Sequence, residues 1–99
     1  MDHGLALKAL ANPVRREILA LLKDPLGNFA ANEHFPDEQG VCGDNIVLRM
    51  RLAQSTISTH LAILQRAGLV TSQKRSQWTY FQRNEKAVQE FLRSLRQEL

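Results

Sequence analysis

The chain has 99 residues, 43% of them hydrophobic and 23% charged, which is the balance of one ordinary globular domain. A single cysteine, Cys42, excludes an intrachain disulfide framework and a cysteine-rich zinc cage. The formal net charge of +3 is unevenly divided: residues 1–50 carry five Lys and Arg against seven Asp and Glu, whereas residues 51–99 carry eight against three.

The first residues, MDHGLALKALANPVRREILALL, are interrupted by Asp2, Lys8, Arg15, Arg16 and Glu17. They read as neither a secretory signal nor a membrane span, and a cytoplasmic location is expected. Leu5, Leu7 and Leu10, with Ala6 and Ala9, suggest a short opening helix. Asn12-Pro13 then supplies a capping side chain and a residue suited to the first helical position. Val14, Ile18, Leu21 and Leu22 follow at helical spacing, so a second helix is expected from about Pro13 to Lys23 with one buried stripe.

Residues 24–40, DPLGNFAANEHFPDEQG, break this rhythm with Pro25, Gly27, Pro36 and Gly40. They are expected to form a long loop, held to the body by Phe29 and Phe35. Loops of this length in small domains are usually functional or mobile. Asp44 is then expected to cap a third helix that turns Ile46, Val47 and Met50 inward.

The fourth predicted helix lies in RLAQSTISTHLAILQRAGLV, residues 51–70. Ile57, Leu61 and Leu64 define its inner face, and Gly68 is placed to end it. The opposite face carries Ser55, Thr59, Ala62 and Arg66, with Thr56 and Ser58 on the flanks. Ser and Thr are mediocre helix formers, so propensity alone does not account for a hydroxyl-rich opening. Residues 69–83, LVTSQKRSQWTYFQR, read as two strands joined by a basic turn around Lys74-Arg75-Ser76-Gln77. Asn84 is expected to cap a last helix, 84–98, whose apolar positions are Val88, Phe91, Leu92 and Leu95.

Between Asp44 and Glu85 there is no acidic residue, while Arg49, Arg51, Arg66, Lys74, Arg75 and Arg83 are all present. Alone, such a run is an ordinary solvated basic face; around a polar-headed helix it points to a polyanion. Short uncharged side chains let a helix enter the DNA major groove. Ser and Thr exchange hydrogen bonds with base edges, a Thr methyl meets a thymine methyl, and Gln pairs with adenine. With the preceding helix and tight turn, residues 44–67 form a helix-turn-helix, and the basic hairpin 69–83 makes a wing. The expected fold is mainly α with a β-hairpin wing, one winged helix-turn-helix domain over residues 1–99.

LKALANPVRREILALL, QSTISTHLAILQRAGLV and QWTYFQRNE together resemble the ArsR/SmtB family of bacterial winged-helix repressors, over nearly the whole chain except 24–40. The resemblance implies a homodimer that binds a palindromic double-stranded DNA operator and represses transcription, often released by a metal or another inducer. Gln54, Ser55, Thr56, Ser58 and His60 match the recognition-helix positions, and Lys74, Arg75 and Gln77 match the wing; Thr59 shares the outward face. The terminal helices, through Leu5, Leu7, Leu10, Val88, Phe91, Leu92 and Leu95, are the expected dimer interface. Two positions depart from the family pattern. Arg51 stands where a turn Gly is usual, a left-handed position costing an arginine roughly 1 kcal/mol. Ala53 stands where a capping Ser is common, a loss of ~1 kcal/mol.

Each assignment has a plainer counterpart. His60 sits at the edge of the apolar stripe and either packs there or contacts DNA. Gln54 either caps the helix or reads a base, and Lys74 and Arg75 are either solvated or bound to phosphate. Trp78 and Tyr80 are read as hairpin packing. No cofactor is expected. The family's Cys-x-Cys metal ligands are missing, and residues 84–99 hold neither His nor Cys; Cys42 with His34, Asp37 or Asp44 is a metal set that can be drawn. One thiol cannot close a disulfide within the chain, which leaves Cys42 as a candidate redox group only through sulfenic acid or a bond across a dimer. A winged-helix protein-interaction module and a thiol-based redox-responsive repressor using Cys42 are the alternative functions, although the N-terminal half of the fourth helix lacks the aromatic anchors expected of the former. No catalytic constellation is present, so an enzyme is not expected.

Overall fold

The computed structural model describes residues 3–29 and 40–99, which form six helices and three strands. In chain order these are α1 (His3–Leu10), α2 (Pro13–Leu22), α3 (Pro25–Asn28), β1 (Val41–Cys42), α4 (Gly43–Met50), α5 (Gln54–Arg66), β2 (Val70–Arg75), β3 (Trp78–Arg83) and α6 (Glu85–Glu98). Phe35, and the His34 and Asp37 of the metal set, lie outside the described residues.

Asn12 caps α2 as its side chain predicts, its Oδ1 accepting from the backbone N–H of Val14 at 2.8 Å and of Arg15 at 3.2 Å. Ile18, Leu21 and Leu22 are buried on its inner face. The predicted loop 24–40 begins with structure: Asp24 accepts from Gly27 N–H at 3.1 Å, and Pro25 opens the single turn α3. Asp-Pro is itself a cap followed by a favoured first helical residue, a signal outweighed in the sequence by the breakers that follow. Phe29, just beyond, is buried as expected.

The loop also ends in structure. Val41 and Cys42 pair antiparallel with Phe81 and Tyr80, so the wing is a three-stranded sheet of order β1-β3-β2 rather than an isolated hairpin. A two-residue strand carries no periodicity to read. Its pairing also shifts the start of α4, which Cys42, not Asp44, precedes as the capping position, without a side-chain cap; Asp44 lies within the first turn. There the carboxylate still meets the positive end of the helix dipole.

One core joins these elements. Ala6 and Ala9 of α1, Ile18 and Leu22 of α2, Ile46 of α4, Ile57, Leu61 and Leu64 of α5, and Val88 and Phe91 of α6 are all buried. Val47 and Met50 are half-buried against them. At the end of α5, Gly68 takes φ +82 and its N–H reaches Gln65 O at 3.0 Å, while Leu69 N–H reaches Leu64 O at 3.1 Å. These two bonds form a Schellman stop, sealed by Leu64 and Leu69, both wholly buried.

Candidate nucleic-acid interface

The turn between α4 and α5 is built on the two departures noted in the sequence. Arg51 adopts φ 58, ψ 37, the left-handed conformation that lets the chain reverse between helices, and its N–H bonds Val47 O at 3.0 Å. Ala53 holds the extended cap conformation before α5 and offers no side-chain oxygen to the first N–H groups.

With Ile57, Leu61 and Leu64 facing inward, the helical repeat leaves Gln54, Ser55, Thr56, Ser58 and Thr59 exposed together on the first two turns of α5. Thr59 donates its hydroxyl proton to Ser55 O at 3.0 Å. Its methyl and its oxygen lone pairs are what remain for an external partner. His60 is half-buried, and its Nδ1 lies 3.2 Å from the Arg15 guanidinium of α2. Burial, followed by the nearby Arg15 charge, lowers its pKa from the ordinary 6.5.

The wing runs beside this helix. β2 and β3 pair from Val70–Arg83 to Arg75–Trp78, and Ser76-Gln77 makes the turn, with Ser76 at φ 58. The predicted basic turn is therefore divided: Lys74 and Arg75 belong to β2. Lys74 is exposed, whereas Arg75 is half-buried, its guanidinium carbon 3.7 Å from the centre of the Tyr80 ring. Tyr80 thus holds a wing cation in place, a role beyond hairpin packing that the alternation of β3 did not suggest. A cleft of about 300 Å³ between α4, α5 and the wing brings Gln54, Ser58 and Gln77 together with Trp78, Asp44 and Cys42.

The terminal helices meet at the far side. His3 packs edge-on against Phe91, with ring centroids 5.7 Å apart, and approaches Glu98 at 3.9 Å. Val88 and Phe91 are 6% and 2% exposed in the protein's own core, while Leu7 and Leu92 each remain 50% exposed. Leu5, Leu10 and Leu95 are half-buried between the two sets. Cys42 is 1% exposed, placed as a small apolar side chain rather than an accessible thiol. Among the described residues no three His, Cys, Asp or Glu side chains cluster to hold a metal ion, and no helix is long and apolar enough to cross a membrane.

The family profile described as bacterial regulatory protein, arsR family, matches residues 44–72, the span of α4, α5 and the start of the wing. The chain is also 38% identical over 89 residues to the HTH-type transcriptional regulator YbzH of Bacillus subtilis, covering 89% of each chain. This chain belongs to the ArsR family. The chain is also 37% identical over 75 residues to the transcriptional activator HlyU of Vibrio cholerae, 76% of this chain and 56% of that one. The structure of HlyU from Vibrio cholerae superposes with a TM-score of 0.61 at 34% identity, covering 92% of this chain and 87% of that chain. An ArsR-like transcriptional regulator from Rhodococcus sp. RHA1 reaches a TM-score of 0.70 at 23% identity, over 96% and 76% of the two chains, and shows the shared fold. The winged helix-turn-helix is thus an ArsR-type scaffold, and the chain is a transcriptional regulator of that type.

Proposed function

We propose that this regulator acts as a cytoplasmic, non-enzymatic homodimer that binds a palindromic DNA operator and represses transcription by occupying it. The observation that carries the reading is the exposed hydroxyl and amide face of α5, set beside a basic wing in a stretch without acidic residues from 45 to 84. Gln54, Ser55, Thr56, Ser58 and Thr59 enter the major groove and choose sequence. Lys74, Arg75 and Gln77 engage the adjoining backbone, which contributes position and salt dependence. Leu7 and Leu92 form the exposed centre of the dimer face, flanked by Leu5, Leu10 and Leu95, with Val88 and Phe91 supporting it from the core. A two-fold protein then meets two half-sites about one helical turn apart.

Nuclease footprinting on the DNA upstream of the gene tests this reading. Two protected half-sites spaced by roughly 10 base pairs are expected, together with a fall in output from a reporter placed downstream. A rise in that output would make the protein an activator, the term attached to HlyU, while leaving the DNA-binding geometry intact. Absence of any protected site would contradict the reading.

A further inference from the structure

Arg15 occupies a junction of three helices. It projects from α2, donates through Nε to Ala9 O at 2.7 Å and through one terminal nitrogen to Lys8 O at 3.2 Å, both in the last turn of α1. Its other terminal nitrogen lies 3.2 Å from Nδ1 of His60 on α5. A guanidinium has five donors and no acceptor. The His60 Nδ1 must therefore accept, which places the ring proton on Nε2 and selects one neutral tautomer of the two.

We propose that Arg15 is a positioning residue for DNA recognition: by filling Nδ1 of His60 it fixes the imidazole as the Nε2–H tautomer and ties the DNA-reading helix to the end of α1. The proposal rests on the DNA-binding reading above and deepens it at one residue. Nε2–H is the form of His60 able to donate to a base acceptor while Nδ1 is held by the protein. The same fork adds a polar tie between α5 and α1, which carries Leu7 and Leu10 of the dimer face, to the direct packing of these two helices. Arg15 is the charged group acting on the ring. Lys8 contributes its backbone carbonyl, Arg16 is directed to Leu10 O, and the ring's neighbours one turn away on α5, Thr56, Ile57, Ile63 and Leu64, are uncharged.

Lysine keeps the charge of arginine but cannot reach three acceptors in a fixed fork, so Arg15→Lys separates positioning from electrostatics. The tautomer is read by long-range ¹H–¹⁵N NMR of the imidazole, alongside affinity for the footprinted upstream DNA and for a scrambled duplex. In the wild-type protein His60 is expected as Nε2–H. Arg15→Lys is expected to mix the tautomers and to weaken specific binding by roughly tenfold, the loss of one charge-assisted hydrogen bond, with binding to the scrambled duplex unchanged. A wild-type His60 protonated at Nδ1 overturns the proposal and requires no variant to fold. An Arg15→Lys protein with unaltered tautomer and unaltered specific affinity overturns it as well, as does an equal loss on both duplexes. Wild-type protein that shows the Nε2–H tautomer but no preference for any upstream DNA removes the recognition role by refuting the DNA-binding reading itself.

Discussion

Gln65, near the end of α5, donates its side-chain amide to the hydroxyl of Ser72 on β2 at 2.9 Å, so α5 and the wing beside it share a direct bond. Both residues are exposed, and the bond competes with water. A double-mutant cycle of Gln65→Ala and Ser72→Ala, followed by urea unfolding, should give a coupling of about 0.5–1 kcal/mol. A coupling near zero would mean that the bond does not hold the wing.

The turn before α5 is less stable than it need be. Arg51→Gly should raise stability by roughly 0.5–1 kcal/mol, because relief of the left-handed penalty exceeds the entropy cost of glycine. Arg51→Val should lower it. Ala53→Ser should add about 1 kcal/mol by capping the open N–H groups of α5. Thermal unfolding of the three variants checks these signs, and an Arg51→Gly protein less stable than the parent would contradict the strain argument.

Phe91 and Leu92 are neighbours with opposite exposure. Phe91→Ala removes a ring from the core and should cost about 3–5 kcal/mol, enough to threaten folding. Leu92→Glu should leave the unfolding curve of the isolated subunit nearly unchanged and shift sedimentation from dimer to monomer. A Leu92→Glu protein that sediments as the parent does would exclude Leu92 from the interface.

His60 makes stability depend on pH in a definite direction. Its pKa is lowered in the folded state by burial and then by Arg15, so the unfolded chain binds more protons at this residue. Its contribution is complete above 6.5 and is lost as pH falls through the lower, folded value. Glu85, whose carboxylate is held by Arg83 at 2.9 Å, behaves likewise only below its ordinary 4.5. Urea midpoints should therefore decline on going from pH 7 to pH 5 in the parent protein and decline less in His60→Asn, whose amide oxygen offers Arg15 an acceptor without a titration. Equal slopes in the two proteins would contradict this assignment.

The elements with periodicity were legible from residues alone. Pro13 with Val14, Ile18 and Leu22 marked α2; Ile57, Leu61 and Leu64 marked α5, and Gly68 its end. The unfavourable Arg51 and Ala53 were visible too, because their cost follows from residue type at a known place in a turn. Short elements were not. Val41 and Cys42 form a strand only because Phe81 and Tyr80 lie beside them, a long-range pairing with no local trace, and it is this pairing that moved the cap of α4 from Asp44 to Cys42. The contacts that organise the site also cross the chain: His60 meets Arg15 45 residues away, and Arg75 is held over Tyr80. Spacing along a helix identified His60 as a residue at the boundary of two faces, and only the packing of α2 against α5 showed what it faces.

In the proposed mechanism α5 chooses sequence while the wing holds the backbone. Fluorescence-anisotropy titration against the DNA upstream of the gene and a scrambled duplex, near 150 mM salt and over a salt series, tests it most directly. The parent protein should bind the upstream DNA at least ~1000-fold more tightly. Arg75→Ala should weaken both duplexes and flatten the salt slope by about one, while Thr56→Ala should reduce only the difference between them. Equal binding of the parent to both duplexes, or identical losses for the two variants, would contradict the account.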